Sequence, residues 1–313
     1  MPMVSQTPGA EKNAAFASRF LVDPERFPKL DAGEGWGDEA LGLGFLGGPY
    51  AFLGLSSQQL RQARGRFGHL CLEQIPLGAV ELQVFRATRH DFHRITEVGW
   101  EYSLDLRYEP RRVDLAGMEL MASLYWEEEL RSALWTWSEG GETFLGALEN
   151  AFRAVVAYRL AESHGVLLHS AAVLDRGRVH VFLGRSGAGK TTISRLSHAS
   201  GRQVLSDDLN ALLVRDGRAI VCQMPFAGDF GQQTAVRGEF PLAGLYGIAH
   251  GDVEALTDMS RAAGLGLLMS CATAVGSDPH RCEPVIDTLT GLAETIPVRR
   301  LTFSRSGDPW SVL

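Results

Sequence analysis

Gly184-Arg185-Ser186-Gly187-Ala188-Gly189-Lys190-Thr191-Thr192 fits G-x-x-x-x-G-K-[ST] at every required position. It directly follows an apolar run, Val179-His180-Val181-Phe182-Leu183. Glycines let the backbone wrap an anion so that successive N–H groups point at phosphate oxygens, and the positive end of the following helix adds to the field. Lys190 reaches the β/γ-oxygens, and the Thr191 hydroxyl is placed to ligand Mg²⁺. The whole segment from Gly184 to Thr192 is therefore a candidate phosphate cradle. It needs a strand before it and a helix after it, and Ile193 and Leu196 begin the helical repeat, so this half of the chain is read as an α/β fold. The only lysines in the chain are Lys12, Lys29 and Lys190. A chain that otherwise uses arginine keeps an ammonium at 190, where a compact point charge suits a phosphate.

Upstream, Val166 to Leu174 and Val179 to Leu183 read as two strands joined at Asp175-Arg176-Gly177-Arg178, a turn signal between β-branched runs. Before them Phe144, Leu148, Ala151, Val155 and Leu160 recur at helical spacing with charged residues between. Ala79 to Phe85 and Tyr102 to Leu106 alternate as strands do. These patterns divide the chain into an irregular arm over 1–40, a smaller β-rich domain over 41–140 and a P-loop domain over 141–313. Trp100, Trp126, Trp135 and Trp137 are read as core and edge packing in preference to a groove.

Beyond the loop, Val204-Leu205-Ser206-Asp207-Asp208 ends an apolar run in two carboxylates. Standing alone, an Asp-Asp pair is a surface turn or helix cap. Next to a phosphate loop, one acid can hold Mg²⁺ and its neighbour can take a proton from an incoming hydroxyl. His169 lies in an apolar strand upstream and is read evenly as a satisfied core histidine or as a metal or phosphate partner. His90 and His93 form H-x-x-H, but Arg89, Asp91 and Arg94 around them mark a solvated loop.

Composition narrows the partners. The formal charge is -7 and no basic block tracks a nucleic acid backbone. No segment reads as a secretion signal or a membrane span. Cys71, Cys222, Cys271 and Cys282 show neither C-x-x-C pairing nor zinc spacing, so they are read as thiols in a reducing, cytoplasmic compartment, with Cys222 a packing residue.

Together these residues support a resemblance. From about Leu148 onward the chain resembles the carboxy-terminal catalytic domain of HPr kinase/phosphorylase, and more closely the HPr-kinase-related proteins of bacterial peptide-modification clusters. The resemblance rests on Leu148-Glu149-Asn150 with Arg153, Gly165 to Val173, the P-loop, Ser206-Asp207-Asp208 and Pro225-Phe226-Ala227-Gly228-Asp229. It continues through Pro241-Leu242-Ala243-Gly244 and Ile296 to Phe303 before Trp310. The same stretch is similar to the nucleotide-binding core of ATP-dependent phosphoenolpyruvate carboxykinase, where a histidine upstream of the loop binds the catalytic metal; Leu168-His169-Ser170-Ala171 matches that position.

The resemblance implies ATP and Mg²⁺, maps the residue that activates the acceptor hydroxyl to Asp207 or Asp208, and places Lys190 and His169 in the catalytic set and Asp229 toward a second metal. Of the two acids, Asp207 is assigned here as base and Asp208, with Thr191, as metal ligand. It also implies a homo-oligomer, since the HPr kinases form ring-like assemblies. The carboxykinase substrate arginines and the HPr-binding signature are not recognisable here. The expected activity is therefore an ATP-dependent serine kinase acting on a peptide or small protein, with the β-rich domain as substrate-recognition module. Two alternatives stay open: a small-metabolite phosphotransferase, for free serine or carboxykinase-like, and a non-catalytic nucleotide-binding regulator.

Overall fold

The computed structural model describes residues 33–87, 104–117, 120–185, 187–226, 230 and 238–313. The chain divides into two units, Met1–Val156 and Ala157–Leu313, with the division falling inside a long helix.

The first unit is built on one mixed sheet. Strands β1 (Glu34–Gly35), β2 (Glu39–Leu43) and β3 (Tyr50–Leu55) precede helix α1 (Ser57–Phe67). They are followed by β4 (Val80–Arg86), β5 (Asp105–Glu109), β6 (Arg112–Ala116), β7 (Met121–Trp126) and β8 (Leu130–Thr136). The strand order is β2-β3-β4-β8-β7-β6-β5, with β1 paired to β4. Residues 33–40, within the stretch read as an irregular arm, thus contribute β1 and the start of β2. Parallel β3 and β4 need a crossover, and α1 supplies it, opened by a capping box between Ser56 and Gln59. The helical repeat read from Phe144 onward is α2 (Gly141–Ala161). Its Phe152 meets the rings of Tyr50, Phe52 and Phe67 edge-on at 5.0, 5.1 and 5.7 Å, and Glu149 pairs with Arg66. Trp135 is buried and stacked on Phe85, as packing predicts. Trp100, His90, His93, Tyr102 and Ser103 lie outside the described residues.

The second unit is an α/β layer carrying the P-loop. Strands β9 (Gly165–Asp175) and β10 (Arg178–Leu183) form the expected hairpin, and both turn residues have positive φ, Arg176 at 48° and Gly177 at 79°. Helix α3 (Lys190–Ala199) follows the loop, then β11 (Gln203–Ser206), β12 (Leu209–Arg215), β13 (Arg218–Cys222) and β14 (Glu239–His250). The chain closes with β15 (Ala255–Asp258), α4 (Arg261–Cys271), α5 (Glu283–Thr295) and β16 (Val298–Phe303). Two long strands do most of the organising. His169 in the first half of β9 pairs with β12, while residues from Ser170 onward pair with β10 on one side and, from Ala172, β11 on the other. Strand β14 likewise pairs first with β13, then runs parallel to β10 and β16.

Because β10 and β11 are both antiparallel to β9, they run the same way and their carboxyl ends reach one edge of the sheet. Helix α3 covers this sheet, its Ile193 packing with Ala171, Val173, Phe182, Val204, Tyr246, Ile248, Leu301 and Phe303. Burial of a side chain such as Phe182 stabilises the layer by about 2–3 kcal/mol. The helix ends where Gly201 adopts φ 83° and its N–H bonds the His198 carbonyl. No helix among the described residues is long and apolar enough to cross a membrane.

Candidate active site

Topology brings the two motifs to one edge. Leu183, the last residue before the loop, is opposite Ser170 of β9, and Ser206, the last before the acids, is opposite Ala172. His169 is opposite Leu209, which resumes the chain after the acids. The loop, the Asp pair and His169 therefore meet where β9 changes partners.

The loop has the shape its glycines allow. Gly187 and Gly189 hold φ 77° and 105°, and a β-carbon on Gly189 would stand 2.8 Å from His250 Cε1 and 3.3 Å from buried Phe303. Gly189 caps α3. Lys190 is buried, and its Nζ donates to the Gly184 carbonyl at 2.9 Å and the Arg185 carbonyl at 3.1 Å. Its ammonium lies across the loop it is expected to serve. Burial pushes the Lys190 pKa below its usual range, and the carboxylates of Asp208 and Asp207 oppose this. Ala188 N–H closes the loop on the Arg185 carbonyl at 3.1 Å, and Thr192 is half-buried in the first turn of α3. Ser186 and Asp229 lie outside the described residues.

The two acids occupy different surroundings. Asp207 is 5% exposed, and its Oδ2 accepts the Thr191 hydroxyl at 2.9 Å. Phe230 N–H donates to the same carboxylate at 3.1 and 3.2 Å. Asp208 has a side chain 23% exposed, with Oδ1 3.0 Å from Nδ1 of His169, itself 39% exposed. The sequence reading places Thr191 with Asp208; the structure places its hydroxyl on Asp207. Adjacent residues leaving a strand point to opposite sides, so one carboxylate turns in toward α3 and the other toward His169 and solvent.

Hard oxygen donors from Thr191 and Asp207, next to a phosphate loop, fit a Mg²⁺ that keeps most of its waters and binds few protein groups. The described residues contain no group of three or more His, Cys, Asp or Glu able to hold a metal.

Sequence reasoning did not reach the residues that shape this edge from other strands. His250 and Phe303 end β14 and β16 against Gly189, and Asn210 lies fully buried beside Ser170. A signal existed for Asn210 alone: a fully polar amide inside Leu209-Asn210-Ala211-Leu212-Leu213 contradicts the composition of a buried strand.

Comparison with known proteins agrees with the motif reading. Residues 137–217 match the family model for phosphoenolpyruvate carboxykinase. The phosphoenolpyruvate carboxykinase (ATP) of Shouchella clausii (strain KSM-K16) is 37% identical over 70 residues, 22% of this chain and 13% of that relative. The match thus spans a small part of the curated relative. The Hpr(Ser) kinase/phosphatase from Coxiella burnetii aligns over 46% of this chain and 89% of its own, at 10% identity and a TM-score of 0.27, an overlap too loose to carry any argument about the site. The P-loop segment of this chain is thus similar, over residues 137–217, to the corresponding part of ATP-dependent phosphoenolpyruvate carboxykinase.

Proposed function

We propose that the protein is an ATP-dependent phosphotransferase that phosphorylates a serine hydroxyl on a peptide or small protein. The observation that carries this reading is the meeting, at one sheet edge, of the P-loop, a buried acid bonded to Thr191, and a second, accessible acid paired with His169. A protein that only senses nucleotide needs the first two and has no use for the third.

The division of labour we propose reverses the order expected from sequence. Residues 184–192 cradle the phosphates, and Thr191 with Asp207 hold Mg²⁺. The cation, when bound, supplies charge neutralisation at the transferring phosphates. Asp208, with its carboxylate oriented by His169, accepts the proton of the acceptor hydroxyl as the oxygen attacks in line. His169 fixes the carboxylate's direction and stabilises its charge through Nδ1. Lys190 exchanges its loop carbonyls for phosphate oxygens, and its charge counts for more as negative charge spreads over the transferring group. The β-rich unit is proposed as the part that recognises the acceptor.

The test is transfer of label from γ-labelled ATP with Mg²⁺ into serine-containing peptides and into free serine. Label in a peptide serine that Lys190→Ala loses supports the proposal. Tight ATP binding with no transfer to any acceptor contradicts it. The carboxykinase family match over 137–217 favours a second reading, a phosphotransferase for a small acceptor. Label in free serine alone selects it.

A further inference from the structure

We infer that Asn210 is a positioning residue for the proton-accepting pair: its buried amide pins the point in β9 from which both His169 and Asp208 are hung. This rests on the proposed roles of those two residues. Asn210 Nδ2 donates to the Ser170 carbonyl at 2.7 Å and to Ser170 Oγ at 3.1 Å. Ser170 N–H in turn donates to the Asp208 carbonyl at 2.9 Å. Ser206 Oγ accepts from the N–H groups of Asp208 at 3.1 Å and Leu209 at 3.3 Å, closing the other side of the two-residue excursion. The backbone of Asp208 is thus fixed from Ser170 and Ser206, and Ser170 is fixed from Asn210.

The location explains why a polar anchor is needed there. At His169 and Ser170, β9 leaves β12 and takes up β10 and β11, so the ladder cannot by itself fix the Ser170 carbonyl. Asn210 is 0% exposed, and its neighbours along β12, Leu209, Ala211 and Leu212, and Leu168 opposite it in β9 are all buried. Among the described residues its own Oδ1 is buried without a hydrogen-bond partner, a cost that an apolar residue of the same size would avoid. A side chain held at such a cost is set by the geometry of its donor. A misplacement of about 1 Å in the groups it supports is enough to slow a reaction roughly 100-fold.

The experiment uses the full chain with Asn210→Leu, and with Asn210→Thr as a smaller strand-forming variant should the first fold poorly. The readouts are kcat and KM for ATP in the phosphate-transfer assay, the same substitution in an Asp208→Asn background, and the ¹⁵N resonances of the His169 imidazole. The expected result is a kcat lower by about 10- to 100-fold with KM for ATP unchanged, no further loss in the Asp208→Asn background, and a shift of the His169 Nδ1 resonance. An unchanged kcat and His169 resonance, or a loss that follows the folded fraction and adds fully to that of Asp208→Asn, overturns the inference. If the wild-type chain transfers no phosphate, the functional reading fails, and the His169 resonance still decides whether Asn210 holds the pair.

Discussion

Replacing Gly189 by alanine should weaken nucleotide binding far more than it weakens the fold. At φ 105° an added β-carbon meets the His250 ring at 2.8 Å and the Phe303 ring at 3.3 Å. His250 is exposed and can swing away, whereas Phe303 is buried in the core under the loop and cannot. A left-handed residue bearing a β-carbon costs about 1–2 kcal/mol, so the loop relieves the strain by turning the peptide and moving an N–H away from the phosphates. Loss of one hydrogen bond to a charged group costs about 1.5–3 kcal/mol. At about 1.4 kcal/mol per tenfold, that is a roughly 10- to 150-fold rise in the Kd for MgATP. Titration calorimetry measures it, and thermal melting follows the fold. Gly177→Ala is the control: its φ is 79°, its β-carbon meets nothing within 4 Å among the described residues, and it lies in the hairpin turn away from the loop. It should lose similar stability and bind MgATP as wild type does. A folded Gly189→Ala protein that binds within about twofold of wild type would refute the claim that this glycine shapes the phosphate cradle.

Two further perturbations probe the layer behind the site. Trp310 donates Nε1–H to Ser197 Oγ at 2.9 Å and lies under the Arg202 guanidinium at 4.1 Å. Trp310→Ala should therefore cost about 2–3 kcal/mol, read as a lower urea midpoint with the denaturant slope unchanged. Burial, reinforced by Glu239, pushes the Cys222 thiol up to about 12. At pH 8 only about one part in ten thousand is thiolate, so iodoacetamide should leave Cys222 unlabelled in the native protein and label it in urea, as peptide mass spectrometry will show. Rapid native labelling would contradict its place in the core.

The parts of this molecule that sequence discloses are those where local chemistry and fold agree. The Arg176-Gly177 turn can be read because a two-residue hairpin needs positive φ at both positions, and the P-loop because its glycines have no substitute. Helix α2 can be read from Phe144, Leu148 and Ala151, which are buried. The roles within Asp207-Asp208 are hidden for a reason of register. Which acid turns inward depends on Ser206 facing Ala172, a pairing between strands some thirty residues apart, and a shift of one residue exchanges them. His250 and Phe303 approach the loop only through the parallel alignment of β14 with β10 and β16, which no local pattern encodes. The short β1 and the start of β2 carry too few residues for a period to show.

The most direct test of the account is single-turnover phosphate transfer from ATP across a Mg²⁺ titration, comparing Asp207→Asn with Asp208→Asn. The account predicts that Asp207→Asn needs much more Mg²⁺ to reach its half-maximal rate. It predicts that Asp208→Asn keeps the wild-type Mg²⁺ requirement and ATP affinity while its transfer step slows by a factor on the order of 100 to 10,000. The reverse pattern, a Mg²⁺ defect at Asp208 with transfer lost at Asp207, would contradict it.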